Sequence, residues 1–200
     1  MRQACTTAAL WPADLTVAVN LSPAQFIGNH LADTVATILV ETGLEPRRLE
    51  LEITEGLLLN TTQEVMDELH TLKAFDVAIV MDDFGTGYSS LSYLWKFPFD
   101  KIKIDRAFML ALDAEDYKSA ETIVRTIIDL GRSLNVTVTV EGVENERQVQ
   151  FVNAARCDQV QGYYFSRPMP GTELGGYIMR ELKLDKAGLT LAPKVVQRAG

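Results

Sequence analysis

Lys101-Ile102-Lys103-Ile104-Asp105 is the stretch on which the fold turns. Side chains alternate across an extended strand. The two isoleucines therefore take one face and the charged residues the other. Leu49-Glu50-Leu51-Glu52-Ile53 repeats the split with glutamates on the polar face. In Val17-Ala18-Val19-Asn20 the valines oppose Ala18 and Asn20, and Val138 and Val140 oppose Thr137, Thr139 and Glu141. A parallel sheet covered by helices on both faces reads apolar throughout. One apolar face and one persistently polar face fit a barrel whose interior opens into a polar mouth.

Working outward, six short apolar runs read as strands, at residues 16–20, 48–54, 77–82, 100–105, 137–141 and 160–165. Helical patterns lie between them. Leu31, Val35, Ile38 and Leu39 share one helical face, and Gly43 stops that helix. Thr61 and Glu64 form a capping box ahead of Val65, Leu69 and Leu72. A short helical segment spans 89–96. Ala120, Ile123, Val124, Ile127, Ile128 and Leu134 mark the longest helix. Val149, Val152 and Ala155 mark another, and Leu174, Tyr177 and Ile178 the last. Strand–helix alternation gives an α/β class with a parallel sheet. A complete barrel of eight units takes about 250 residues, and about six of eight are present. Residues 2–10 read as the end of a helix begun earlier. The expectation is an incomplete TIM-type (β/α) barrel over residues 1–183, with 184–200 a weakly ordered tail.

Composition narrows the function. The 200 residues are 47% hydrophobic, enough for one sizeable core. No apolar run is long enough to span a membrane, and the first ten residues lack a signal pattern, so the expected location is cytoplasmic. Cys5 and Cys157 form no disulfide framework. A formal net charge of -8 argues against non-specific DNA binding. His30 and His70 lie in polar, helix-like surroundings, which disfavours a histidine zinc site.

Polar residues gather at the C-terminal ends of all six strands: Asn20, Glu52 and Glu55, Asp82 and Asp83, Lys103 and Asp105, Glu141 and Glu144, and Gln161. That end is where barrel enzymes place their chemistry. Carboxylates converging there make an oxygen-rich site for divalent ions, able to clamp a phosphate and activate water. Protonated Lys103 cannot ligate a metal but can orient water or stabilise developing charge. The expected reaction is metal-assisted phosphoester hydrolysis. Plainer readings stand beside it. Asp82-Asp83-Phe84-Gly85-Thr86-Gly87 could be an Asp-rich turn, Asn20 a helix cap, Glu50 and Lys101 an interior ion pair, and Asp105 a fastener of a loop or of a neighbouring lysine. Asp83-Phe84-Gly85 spells a kinase metal motif, but no phosphate loop accompanies it.

The segments Val19-Asn20-Leu21-Ser22-Pro23, Leu49 to Glu55, Asp82 to Leu91, Lys101 to Asp105, Val140-Glu141-Gly142-Val143-Glu144 and Gln161-Gly162-Tyr163 closely resemble the EAL domain family of bacterial cyclic di-GMP phosphodiesterases. The resemblance runs over residues 2–182. It implies a modified EAL-type barrel with two magnesium or manganese ions at its mouth. By that resemblance Asn20, Glu52, Asp82, Asp83 and Glu141 are metal ligands, with Asp82 the bridge. Lys103, Glu141 and Asp83 are catalytic, Lys103 through the attacking water. Gln161 and Glu144 support metals and substrate. Glu55 anchors the loop of Phe84, Gly85, Thr86 and Gly87, which the family links to metal binding and dimerisation. The implied activity is hydrolysis of cyclic di-GMP to the linear dinucleotide. The alternative is a non-catalytic cyclic di-GMP-binding or regulatory dimerisation module. Implied partners are a second copy and an upstream sensory or cyclase domain. The Glu-Ala-Leu tripeptide that names the family does not occur in the 200 residues. The expectation is therefore an N-terminally truncated member with little activity.

Overall fold

The computed structural model describes residues 1–28, 30–59, 62–85, 94, 97, 99–114 and 117–185. The expected Thr61 cap, Thr86, Gly87, the helical segment at 89–96 apart from residue 94, and the tail beyond residue 185 lie outside them.

Six strands form one sheet: β1 (Val17–Asn20), β2 (Leu49–Thr54), β3 (Ala78–Phe84), β4 (Lys101–Ile104), β5 (Thr137–Val140) and β6 (Gln159–Val160). Their spatial order equals their chain order, and every neighbouring pair is parallel. Helices α1 (Arg2–Ala8), α2 (Leu31–Thr42), α3 (Glu55–Leu59), α4 (Gln63–Ala74), α5 (Ala107–Ala111), α6 (Tyr117–Leu134), α7 (Glu146–Ala154) and α8 (Gly171–Asp185) intervene or flank. The last helix runs past residue 183, so the expected domain boundary falls inside it.

The two faces separate as alternation requires. Val17, Val19, Leu49, Leu51, Ile53, Ile79, Met81, Ile102, Ile104, Val138 and Val140 are buried in the core beneath the helices. Leu31, Val35, Ile38 and Leu39 of α2 join them, and Gly43 ends that helix in the left-handed conformation with φ 66°. α4 begins after Thr62, one residue beyond the expected cap. On α6 the buried side is Ala120, Val124, Ile127, Ile128 and Gly131, while Ile123 and Leu134 are exposed. A helical turn of 3.6 residues swings those two away from the sheet.

The polar face is concave. Thr16 and Ala18 at the first edge share one cavity with Gln159, Val160 and Gln161 at the last. Two opposite edges can meet one cavity only if the sheet curls. The result is an open half-barrel of six parallel strands, consistent with the expected incomplete barrel. Glu50 on β2 and Lys101 on β4 form the expected interior ion pair, and Thr16 donates to Glu50 at 3.0 Å. At the opposite rim, Asp100 accepts the Ile79 N–H at 2.8 Å and Asp158 accepts the Val138 N–H at 2.9 Å. Each aspartate satisfies a strand-end donor that the ladder leaves open.

The sixth strand is shorter than expected. Only Gln159 and Val160 pair with β5; the chain then turns at 162–165. Gly162 sits so close to the Val143 backbone that a Cβ there would fall 2.0 Å from the Val143 carbonyl oxygen. The Tyr164 N–H donates to that same carbonyl at 3.0 Å. The segment after β6 wraps around residue 143 instead of extending the ladder.

Candidate functional site

Two irregularities build the site. The first is a bulge in β3. Met81 is in register with Ile102 and Phe84 with Ile104, so three steps on β3 match two on β4. The extra residue lets Asp82 stay in register with Thr54, on the polar face with Glu52, while Phe84 returns to the apolar core. Asp83 absorbs the kink at φ 56°, a left-handed conformation that Asp tolerates better than most residues. The second is the turn after β5, where Gly142 has φ 74° and its Cα faces the Arg106 backbone. A Cβ there would lie 2.5 Å from the Arg106 Cβ.

Lys103 on β4 stands at the centre. Its Nζ lies 2.8 Å from Glu52 Oε1, 3.2 Å from Asp82 Oδ1 and 2.5 Å from Glu141 Oε1. Three consecutive strands, β2 to β4, and the turn after β5 thus send one charged group each to a single point. Glu52, Asp82 and Lys103 are buried. Burial alone would lower the lysine pKa, but Glu52, Glu141 and Asp82 outweigh it and hold the ammonium above the ordinary lysine range. The three carboxylates around it thus favour the charged ammonium. Burial pushes the Glu52 carboxyl up, against the pull of Lys103. Its buried Oε2 receives no hydrogen bond.

The remaining expected residues surround this point at varying distance. Asp83 donates its N–H to Asp82 Oδ1 at 3.0 Å, and burial followed by the charges of Asp82 and Asp105 raises its pKa. Asp105 accepts the Ala107 N–H at 2.8 Å, the loop-fastening role expected of it. Asn20 is exposed at the end of β1, in register with Glu52. Gln161 lines the cavity with Glu52 and Lys103. Glu144 is exposed. Glu55 is buried, and its Oε2 accepts the Gly85 N–H at 3.5 Å. The structure brings Glu52, Asp82, Lys103 and Glu141 into contact, and Gln161 lines the same cavity.

Sequence reasoning missed Gln148. It is buried in α7 and binds the backbone of the Glu141–Glu144 turn. A signal was present: Asn145 followed three residues later by Gln148 has the form of a capping box. The Asn145 side chain does accept the Gln148 N–H, at 3.0 Å.

A divalent ion suits this donor set. Asn20, Glu52, Asp82, Asp83 and Glu141 offer hard oxygen atoms, and Glu52 Oε2 is a buried acceptor with its capacity unused. The carboxylates converge on the Lys103 ammonium, however, and among the described residues no group of three or more His, Cys, Asp or Glu is arranged around a common metal position.

A curled parallel α/β sheet with a buried lysine among strand-end carboxylates is the class of protein that fold and site define. The profile of the EAL domain matches residues 1–168, and the chain belongs to that family. An uncharacterized signaling protein of Caulobacter vibrioides is 50% identical over 170 residues, 85% of this chain and 21% of that protein. The bifunctional diguanylate cyclase/cyclic di-GMP phosphodiesterase MucR of Pseudomonas aeruginosa is 42% identical over 178 residues, 86% of this chain and 25% of that one. A solved structure of the PaMucR phosphodiesterase in its c-di-GMP complex is 41% identical, with TM-score 0.81 over 86% of this chain and 71% of that one. Klebsiella pneumoniae BlrP1, in a manganese/cy-diGMP complex at pH 6, is 27% identical with TM-score 0.76, over 85% and 43% of the two chains. The chain spans about a fifth to a quarter of the length of the curated relatives it matches.

The expectation of an N-terminally truncated member is corrected. The family match begins at residue 1, so an EAL domain is present from there on. The absence of one tripeptide does not outweigh a family match that runs from residue 1 to residue 168. The expectation of little activity rested on the truncation and loses its basis with it. Among the described residues no helix is long and apolar enough to cross a membrane.

Proposed function

We propose that this chain hydrolyses cyclic di-GMP to the linear dinucleotide, as the phosphodiesterase unit of a cytoplasmic bacterial signalling protein. The observation that carries the reading is Lys103, buried between Glu52, Asp82 and Glu141 at 2.5–3.2 Å. The similarity to proteins whose names specify cyclic di-GMP phosphodiesterase activity or cyclic di-GMP complexes supports the choice of substrate. The half-barrel is read as part of a TIM-type EAL barrel. A homodimer, and an upstream sensory or cyclase domain, belong to the same proposal.

Asn20, Glu52, Asp82, Asp83 and Glu141 would hold two magnesium or manganese ions. Bound there, such ions offset phosphate charge and lower the pKa of bound water. The protein's own part is electrostatic. Lys103 stays protonated, so it donates hydrogen bonds and stabilises negative charge developing on phosphate oxygens. Glu52 and Glu141 hold that ammonium from two sides and fix where it points. Gln161 and Glu144 flank the same mouth and would contact the nucleotide. Glu55 holds the Gly85 N–H, steadying the start of the loop that follows Asp83.

The test uses purified protein with cyclic di-GMP and manganese, following the linear product by chromatography and manganese binding by calorimetry. The parent should turn over, and Asp82→Ala should lose both binding and turnover. Tight nucleotide binding without product would favour the non-catalytic module. Equal manganese affinity in parent and variant would reduce the aspartate pair to a turn.

A further inference from the structure

We infer that Gln148 is a positioning residue for the catalytic turn that carries Glu141 and Glu144. It lies on α7, outside the cavity, and is 1% exposed. Its Oε1 accepts the Glu144 N–H at 2.6 Å. Its Nε2 donates to the Met109 carbonyl at 2.9 Å and to Asp113 Oδ2 at 3.0 Å. Asn145 also donates to Asp113 Oδ2, at 3.1 Å. The amide can face only one way, because a backbone donor lies on one side and two acceptors on the other. One buried side chain therefore ties the turn after β5 to α5, the helix that follows Lys103.

The turn has few other degrees of freedom. The Glu141 N–H is held by the Ile104 carbonyl at 3.0 Å, and the Val143 N–H by the Gln161 carbonyl at 3.1 Å. Gly142 packs against Arg106, leaving no room for a side chain. Glu144 is where the turn leaves the sheet, and Gln148 takes its amide. Without Gln148, the C-terminal end of the turn is free to swing while the N-terminal end stays in the ladder. The Glu144 side chain would then lose its fixed direction, and the strain would pass back along the turn toward Glu141, whose carboxylate lies 2.5 Å from Lys103 Nζ. Partners that orient metal ligands from behind typically matter by about 10- to 100-fold in affinity or activity. The inference rests on the hydrolase reading and assigns Gln148 no contact with substrate.

The test compares the parent with Gln148→Leu, Asp113→Ala and Glu141→Gln in the full chain. Three quantities are read: manganese affinity by calorimetry, hydrogen exchange at the Glu144 amide, and kcat against KM for cyclic di-GMP. Gln148→Leu should weaken manganese binding about 10- to 100-fold, lower kcat with KM nearly unchanged, and speed exchange at Glu144. Asp113 is exposed, so Asp113→Ala should fold even where Gln148→Leu does not, and should shift all three in the same direction by less. A folded Gln148→Leu, or failing that Asp113→Ala, with parental manganese affinity and kcat would overturn the positioning role, even if exchange increased. Parental manganese binding in Glu141→Gln would instead sink the site reading itself. In that case the exchange measurement still reports whether Gln148 holds the turn.

Discussion

Lys103 and Glu52 meet at 2.8 Å although a whole strand, β3, lies between the strands that carry them. The contact requires both side chains on the concave face and a sheet curved enough to shorten the path between β2 and β4. It also explains why Asp82 belongs to the same group. Asp82 comes from the strand in between, and its carboxylate lies 3.2 Å from the same nitrogen.

Removing that nitrogen should cost stability. Lys103→Met leaves the buried Glu52 and Asp82, and the half-buried Glu141, without their cation. Breaking a buried pair by deleting one partner typically costs about 3–5 kcal/mol. Thermal unfolding should show a lower Tm in the variant, and manganese should restore more of it than it adds to the parent, because the ion binds the carboxylates that lost their ammonium. A variant as stable as the parent without metal would mean the carboxylates are not held charged around Lys103.

Glu50 and Lys101 pair one layer below, both buried. Single substitutions Glu50→Leu and Lys101→Met should each destabilise by about 3–5 kcal/mol, whereas the double substitution should cost much less than their sum. Denaturant titration of the four proteins closes the cycle. Additive losses would show that the two side chains do not depend on each other.

Glu55→Ala should speed hydrogen exchange at the Gly85 amide and leave the β2 and β4 amides protected. The reason is the 3.5 Å hydrogen bond from the Gly85 N–H to a carboxylate that begins α3. Unchanged protection at Gly85 would remove the anchoring role.

The thiols should resist modification in the folded protein. Cys5 is buried, and burial raises its pKa. Burial pushes the Cys157 thiol up to about 11, and its Sγ donates to the Gln159 carbonyl at 3.1 Å. A raised pKa favours the protonated thiol in the folded state. The resulting stability is complete below the ordinary thiol range and is lost as pH climbs through about 11. Ellman titration at pH 8 should be slow on native protein and should reach both cysteines after unfolding. Rapid reaction of Cys157 in the native state would contradict its half-buried, hydrogen-bonded placement.

The sequence by itself determined which residues share a face. Alternation in Leu49 to Ile53 and Lys101 to Asp105 is a local, period-two property of the extended chain, and it assigned Glu50, Glu52, Lys101 and Lys103 to the polar side before any contact was known. It also gave the parallel α/β class and the gathering of acids at one end of the strands. Tertiary structure decided how those residues meet. The bulge at Asp82 and Asp83 cannot be read from β3 alone, because it exists only as a mismatch of register with β4. The brevity of β6 follows from the close approach of Gly162 to Val143, two residues far from each other in sequence. No strand or helix pattern marks Gln148 as part of the site, and its contacts with Met109 and Asp113 join segments 39 and 35 residues apart in the chain. Patterns within one segment are set by backbone geometry and are legible one strand at a time. Convergence between segments is set by sheet curl and long-range register, which no single segment encodes.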